Sequence, residues 1–205
     1  MAGTPEISLV GETRRHLDAA AANIGDIWRH EGLKKLAENG LFVAGSHPLG
    51  RWALSQTVNI NEDPLLRTQI GNLDLRFPVG VAPGWDKRGI TILGWQALGA
   101  GHHTSGGVTL RPQFGNEMPR LRTFDNFIGD HGTAVSLNAL GFNSPGVQIV
   151  RQNIERQREL GEIDMPAIAQ ITLNKEMYLP QNIDRAPEEI AQAIRIIVPV
   201  VEPLV

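Results

Sequence analysis

Residues 77–122 read F-P-V-G-V-A-P-G-W-D-K-R-G, then an apolar stretch at helical spacing, then G-G-V-T-L-R-P-Q-F-G-N-E-M-P-R after a short His-His-Thr-Ser lead-in. Residues 77–83 form a short apolar run closed by Pro83-Gly84, the pattern of a buried parallel strand. Ile90, Leu93, Gly94 and Leu98 recur at helical steps, Gly99 to Gly101 end that helix, and residues 106–110 read as a second strand. A strand, a helix and a strand within about 35 residues make one βαβ unit with a right-handed crossover. Such a unit commits its surroundings to a parallel sheet covered by helices.

The rest of the chain leads into this unit or extends it. From Glu12 the residues Leu17, Ala20, Ala21, Ile24 and Trp28 share one helical face, and residues 33–39 predict a second helix with Leu36 and Ala37 in step, stopped by Gly40. These helices read as a cap packed on the domain, with a lid that admits a lipid-like substrate as the alternative. Residues 46–61 lack periodicity and read as a connector. Two apolar runs, 65–71 and 73–77, flank Gly71-Asn72 and predict a hairpin. Beyond Arg122, runs at 124–128 and 133–137 flank Gly129 to Gly132 and predict a second hairpin. Helices follow over 145–160, with an Arg- and Gln-rich exposed face, and over 186–198, with Ile190, Ala193, Ile194, Ile197 and Val198 on one face. Pro187 suits the first turn of the latter, and Glu188 and Glu189 suit its positive end. Residues 167–173 predict a strand, and 200–205 begin another.

Three strands and the start of a fourth, alternating with helices, define the fold expected: α/β, of the (β/α)8 TIM-barrel type, with about the first half of the barrel present. A closed barrel takes about 250 residues, and this chain has 205. The domain reading is 1–62 as a helical segment and connector, and 63–205 as the partial barrel.

Composition narrows the function classes. A net charge of −3 without a Lys/Arg cluster argues against nucleic acid, and the lack of cysteine excludes disulfides and thiolate chemistry. The first residues lack a secretory pattern and no apolar run approaches the roughly 18 residues of a membrane span. The expected location is therefore cytoplasmic, with peripheral attachment to the inner membrane face left open.

The chemistry-bearing residues gather at the expected C-terminal ends of the strands. In Ala82-Pro83-Gly84-Trp85-Asp86-Lys87, a turn glycine lets backbone approach a ligand and Lys87 supplies a cation, although the spacing alone favours a plain turn with Asp86 as helix cap and Lys87 on the surface. Arg111, Gln113, Asn116 and Arg120 form one polar cluster. Ser136, Asn138, Gly141, Phe142, Asn143 and Ser144 form another, able to read the edge of a planar imide or to serve as turn chemistry. His102 and His103 lack a carboxylate at ligand spacing and read as strand-entry residues, so no metal is expected.

The segments A-P-G-W-D-K-R-G, G-G-V-T-L-R-P-Q-F-G-N-E-M-P-R-L and N-A-L-G-F-N resemble, in order, the A-A-G-F/L-D-K-x-G, G-T-V-T-P-R-P-Q-P-G-N-x-x-P-R-L and N-R-M-G-F-N signatures of the quinone-using dihydroorotate dehydrogenases. The resemblance implies an FMN-holding barrel that oxidises dihydroorotate to orotate in pyrimidine synthesis and passes the electrons to a quinone. By position it sets Ala82, Pro83, Gly84, Lys87 and Gly107 against the flavin, and Lys87, Asn138, Ala139, Leu140, Gly141 and Phe142 against the pyrimidine. Departures accompany it. Gly107 stands where the family has a flavin-contacting Thr, and Ala139 where it has Arg. The family's N-x-G-K-N-K reads Gln170, Ile171, Thr172, Leu173, Asn174 and Lys175 here. No catalytic residue is assigned, because the family's N-x-S-S-P-N segment with its base serine is not among these residues. A non-catalytic half-barrel that assembles with a partner chain or a second copy through unpaired strand edges is the alternative.

Overall fold

The computed structural model describes residues 26–58, 64–117, 120–124 and 135–202. The chain divides into two units, one of residues 1–35 and 117–139 and one of residues 36–116 and 140–205. The expected domain boundary after residue 62 falls in 59–63, outside the described residues, as does most of the helix expected over 12–28.

In the first unit the described part after Glu117 is an antiparallel hairpin, β4 (Leu121–Phe124) on β5 (Val135–Asn138), with Leu121 opposite Asn138. It matches the second hairpin expected from the sequence, shifted by a few residues. Ala139 N donates to Arg120 O at 2.8 Å and extends the ladder.

The second unit carries the barrel strands. The expected strand over 77–83 is reduced to one bridge: Val81 N donates to His102 O (2.9 Å) and Thr104 N to Val81 O (3.0 Å). Pro78 and Pro83 lack N–H groups, which removes ladder bonds on either side. β3 (His103–Val108) pairs in parallel with β6 (Ala167–Ile171). On the far edge of β6, Glu202 N donates to Ala167 O at 2.9 Å. The order is thus Val81, β3, β6, Glu202, each neighbour the next in sequence. A doubly wound sheet reverses order at a switch point, whereas a barrel does not. Glu202 stands where the fourth strand was expected to begin, after a 3-10 turn at Val198–Val200.

Helices α3 (Ile92–Ala97), α4 (Val147–Leu160) and α5 (Ala186–Ile197) supply the crossovers. Their inner faces meet the strands in one core of Ile92, Val108, Val147, Val150, Ile154, Met165, Ala167, Ile197 and Val200. α5 packs through Ala186, Glu189, Ala193 and Ile197. Ile194 and Val198, expected on that face, lie one step of about 100° around the helix and are exposed. Gln157, expected on the solvent face of α4, is buried and accepts from Leu93 N at 3.2 Å, satisfying a first-turn donor of α3.

The hairpin β1 (Thr68–Ile70) and β2 (Leu73–Leu75) turns at Gly71-Asn72 as expected, with Gly71 at φ 58°. The helical segment differs from its expectation. α1 runs Asp26–Ser46 through Gly40, and α2 (Pro48–Ser55) forms within the expected connector. Gly40 has open space around it, while Gly45 lies against α3: a Cβ there would sit 2.5 Å from Gly94 N. That helix crossing offsets the roughly 1 kcal/mol helix penalty of a glycine. It also turns Leu36 and Ala37 outward and Glu38 inward, onto Arg88 Nη2 at 2.9 Å. α2 starts on Pro48, with His47 Nδ1 accepting from Leu49 N at 3.2 Å. Pro at the first position loses no helical hydrogen bond, so a helix can start in a segment without apolar periodicity.

Candidate functional site

The loop after Val81 is built around one carboxylate. Asp86 is fully buried; its Oδ1 accepts from Arg88 N (3.0 Å) and Gly89 N (2.8 Å), and its Oδ2 from Thr91 N and Thr91 Oγ1 (both 2.8 Å). His103 Nε2, also buried, lies 3.3 Å from Oδ2 without a directed hydrogen bond. Burial opposes ionisation of this carboxyl, but His103 and the Thr91 donors outweigh it and hold the group below the usual carboxylate range. Asp86 is therefore the organiser of the whole loop, more than a cap for α3, whose N-cap Thr91 has no side-chain cap bond. Arg88 is held from α1 by Glu38 and from α4 by Asn153 Nδ2, which donates to Arg88 O at 2.8 Å. Between these anchors Lys87 is half-buried.

The backbone beside Lys87 is bare. Gly84 has φ 98° and open space where a Cβ would project, and Ala82 and Pro83 are exposed. On β3, a Cβ at Gly106 would stand 2.8 Å from Gln170 Cβ and 3.2 Å from Pro83 Cβ. Gly106 and Gly107 are joined by a cis peptide. Together these residues form a low shelf at the C-terminal ends of the strands, where barrels carry their sites.

The loops after β3 and β6 are knit by polar side chains. Fully buried Asn174 accepts from Arg111 N (3.0 Å), donates to Arg111 O (3.0 Å), and its N–H donates to Glu189 Oε1 (2.7 Å). Arg111 Nη2 donates to Glu189 and Glu176. Gln113 accepts from Lys175 N at 3.0 Å and donates to Phe142 O at 2.8 Å. Lys175 Nζ bonds Asn116 Oδ1. Arg111 and Gln113, read from the sequence as part of one polar cluster, are spent on loop architecture. Ser144 likewise bridges Thr109 N and Gly146 N, each at 3.2 Å.

Asn116 N donates to Leu140 O at 3.1 Å, and a Cβ on Gly141 (φ 68°) would strike Asn116 at 2.7 Å. Phe142 has φ 52°, the left-handed region that a non-glycine residue adopts at a cost of about 1–2 kcal/mol, and remains half exposed. Strain held by surrounding bonds is a feature of ligand loops. Leu140, Gly141 and Phe142 thus join the shelf residues in one unit. Asn138 and Ala139 close the hairpin of the other unit, exposed.

His102 and His103 do enter β3, as expected. The His102 ring fills the space a Cβ on Gly80 would need, at 2.4 Å. Burial, then the neighbouring His103, lowers its pKa. The Asp86–His103 contact and Glu189's inward role were missed in the sequence. Their available signals were an Asp two to five residues before a run of loop N–H groups and a Glu in the first turn after a buried Asn. A cavity of about 410 Å³ lined by Arg51, Trp52, Arg76, Phe77, Gly101 and Asp164 opens at the opposite, N-terminal strand ends, away from these residues.

Comparison with known proteins agrees with this architecture. Residues 65–204 match the family model for dihydroorotate dehydrogenase. The chain is 36% identical over 141 residues to the dihydroorotate dehydrogenase (quinone) of Roseiflexus sp., covering 69% of this chain and 36% of that protein. It is 33% identical over 138 residues to that of Thermus thermophilus, covering 67% and 37%. The DHODH of Eimeria tenella solved with ferulenol superposes with a TM-score of 0.56 at 22% identity, over 82% of this chain and 41% of that one. Its ligand-free form gives 0.52 at 24% identity, over 73% and 41%. At these identities the structural likeness is one of fold. The chain spans little more than a third of the length of these two curated relatives.

Proposed function

Because the chain belongs to the dihydroorotate dehydrogenase family, we propose that it forms one wall of an FMN site at which dihydroorotate is oxidised to orotate, with a quinone as the final acceptor. The observation that carries this reading is the open space over Gly84, flanked by exposed Ala82 and Pro83, in the loop that carries Lys87. A flat ring needs backbone it can lie against, and open space over Gly84 fits such a ring. Bound there, FMN would take up two electrons from the substrate and release them to the quinone.

The chain's own residues bind and orient. Lys87 offers a cation on a loop fixed by Asp86, suited to charge that builds on the ring or on a substrate carboxylate. Leu140, Gly141 and Phe142 would frame the pyrimidine, with Phe142 as an apolar wall. No proton-abstracting base is assigned among these residues.

No helix among the described residues is long and apolar enough to cross a membrane. On this reading the protein works in the cytoplasm with peripheral contact at the inner membrane face, since a quinone dissolves in the bilayer. The test is dihydroorotate-dependent reduction of a dye by the purified chain with FMN added, alone and together with a segment that completes the barrel. Activity in the completed form supports the reading; dye reduction absent from both forms would sink it.

A further inference from the structure

β3 and β6 lose their even register at one place. Gly106 faces Gln170, and Val108 faces Ile171, so Gly107 is an extra residue on β3. One extra residue is a β-bulge, a device that re-aims side chains at sheet ends. A Cβ built on Gly107 would lie 2.9 Å from Thr172 Cγ2 and 3.4 Å from Thr172 Cβ, with Phe142 Cδ1 next at 3.6 Å. Position 107 thus has no room for a side chain, and the atoms in its way belong to one residue. Thr172 N donates to Val108 O at 2.9 Å, which fixes the backbone on which that side chain stands. Among the described residues, no hydrogen bond uses the Thr172 hydroxyl, and the residue is only partly buried.

The two departures noted in the sequence, Gly where the related motif has Thr and Thr where it has Gly, therefore meet in space. We propose that Gly107 and Thr172 are an exchanged pair: the side chain for this spot comes from position 172, after β6, and its hydroxyl is the donor offered to the polar edge of a flavin lying on the shelf. The hydroxyl role rests on the reading of the site as a flavin site. The exchange itself rests on those two departures and on packing. Thr172 is on this account a positioning and binding residue, since it meets the ring without taking part in proton transfer.

Two measurements on the 205-residue chain test this. Thermal unfolding reads the exchange: Gly107→Thr lowers Tm by about 4–10 °C through overpacking, and adding Thr172→Gly to it restores most of the loss. A Gly107→Thr variant as stable as the parent, or a double variant no better than Gly107→Thr, would overturn the exchange. Titration of FMN followed by flavin fluorescence reads the hydroxyl. Thr172→Val, of equal volume, weakens binding about three- to tenfold at an unchanged Tm, the effect of one lost hydrogen bond, while Thr172→Ser retains affinity. Equal affinity for Thr172→Val and the parent would overturn the hydroxyl's role. A parent chain that takes up no FMN would overturn the flavin reading and the hydroxyl's role with it, and the Tm comparison would still decide the exchange.

Discussion

Asp86 Oδ2 lies 3.3 Å from His103 Nε2, both side chains are fully buried, and the same carboxylate binds three backbone N–H groups and a hydroxyl of the loop that carries Lys87. One acid therefore joins the strand-entry residue of β3 to the loop after Val81, and the position of Lys87 depends on it.

Asp86→Ala leaves Arg88 N, Gly89 N, Thr91 N and Thr91 Oγ1 without their acceptor in a buried site. Two such buried donors left unpaired cost about 2–6 kcal/mol, at about 1–3 kcal/mol each. Urea unfolding of Asp86→Ala is expected to show a loss of that size, with Asp86→Asn intermediate because it keeps one acceptor oxygen.

Acid sensitivity follows from the same group. The folded-state pKa of Asp86 is held below its unfolded value of about 3.9, so the unfolded chain binds the proton more readily. Its stabilisation is full above about pH 4 and is lost as pH falls from there through the lowered folded pKa. Urea midpoints measured across that range should fall more gently for Asp86→Asn than for the parent.

The crossing of α1 and α3 is a second point of fragility. A Cβ on Gly45 would meet Gly94 N at 2.5 Å and Gly94 Cα at 2.9 Å, backbone atoms that cannot rotate away. Gly45→Ala should destabilise the protein by about 1–3 kcal/mol although alanine is the better helix former, whereas Gly40→Ala, in open space, should stabilise it by up to about 1 kcal/mol. Circular dichroism melts of the two variants give opposite signs if the crossing is as described.

Asn174 holds both the N–H and the carbonyl of Arg111 and is itself held by Glu189. Asn174→Ala should cost about 1–3 kcal/mol through buried groups left unpaired. Chymotrypsin cleavage at Phe114 and Phe142, whose loops this network ties together, should rise in parallel.

Much of this fold is legible in the sequence because it rests on local signals. The hairpin at Gly71-Asn72, the helices over 147–160 and 186–197 and the strand over 167–171 follow from turn chemistry and periodicity. What was not legible depends on tertiary partners. Gly40 reads as a stop, but the helix passes through it because Gly45 farther along finds a close partner in Gly94. Residues 77–83 read as a strand, but two prolines leave only Val81 to bridge. Gln157 reads as solvent-facing and Glu189 as suited to the positive end of its helix; each is buried because an orphan N–H, at Leu93 or Asn174, needs an acceptor there. In the site, Arg111 and Gln113 prove to be braces. Spacing says which loop a polar residue is on, but not which bond it makes.

The central claim is that the shelf beside Lys87 receives a flavin. Difference absorbance during titration of FMN into the chain, beside a Lys87→Met variant, measures this most directly. The account predicts a saturable shift of the flavin bands for the parent and binding weaker by about 1.5–3 kcal/mol for the variant, the value of a hydrogen bond to a charged group. Unchanged flavin bands with the parent, or equal affinity for the two proteins, would contradict it.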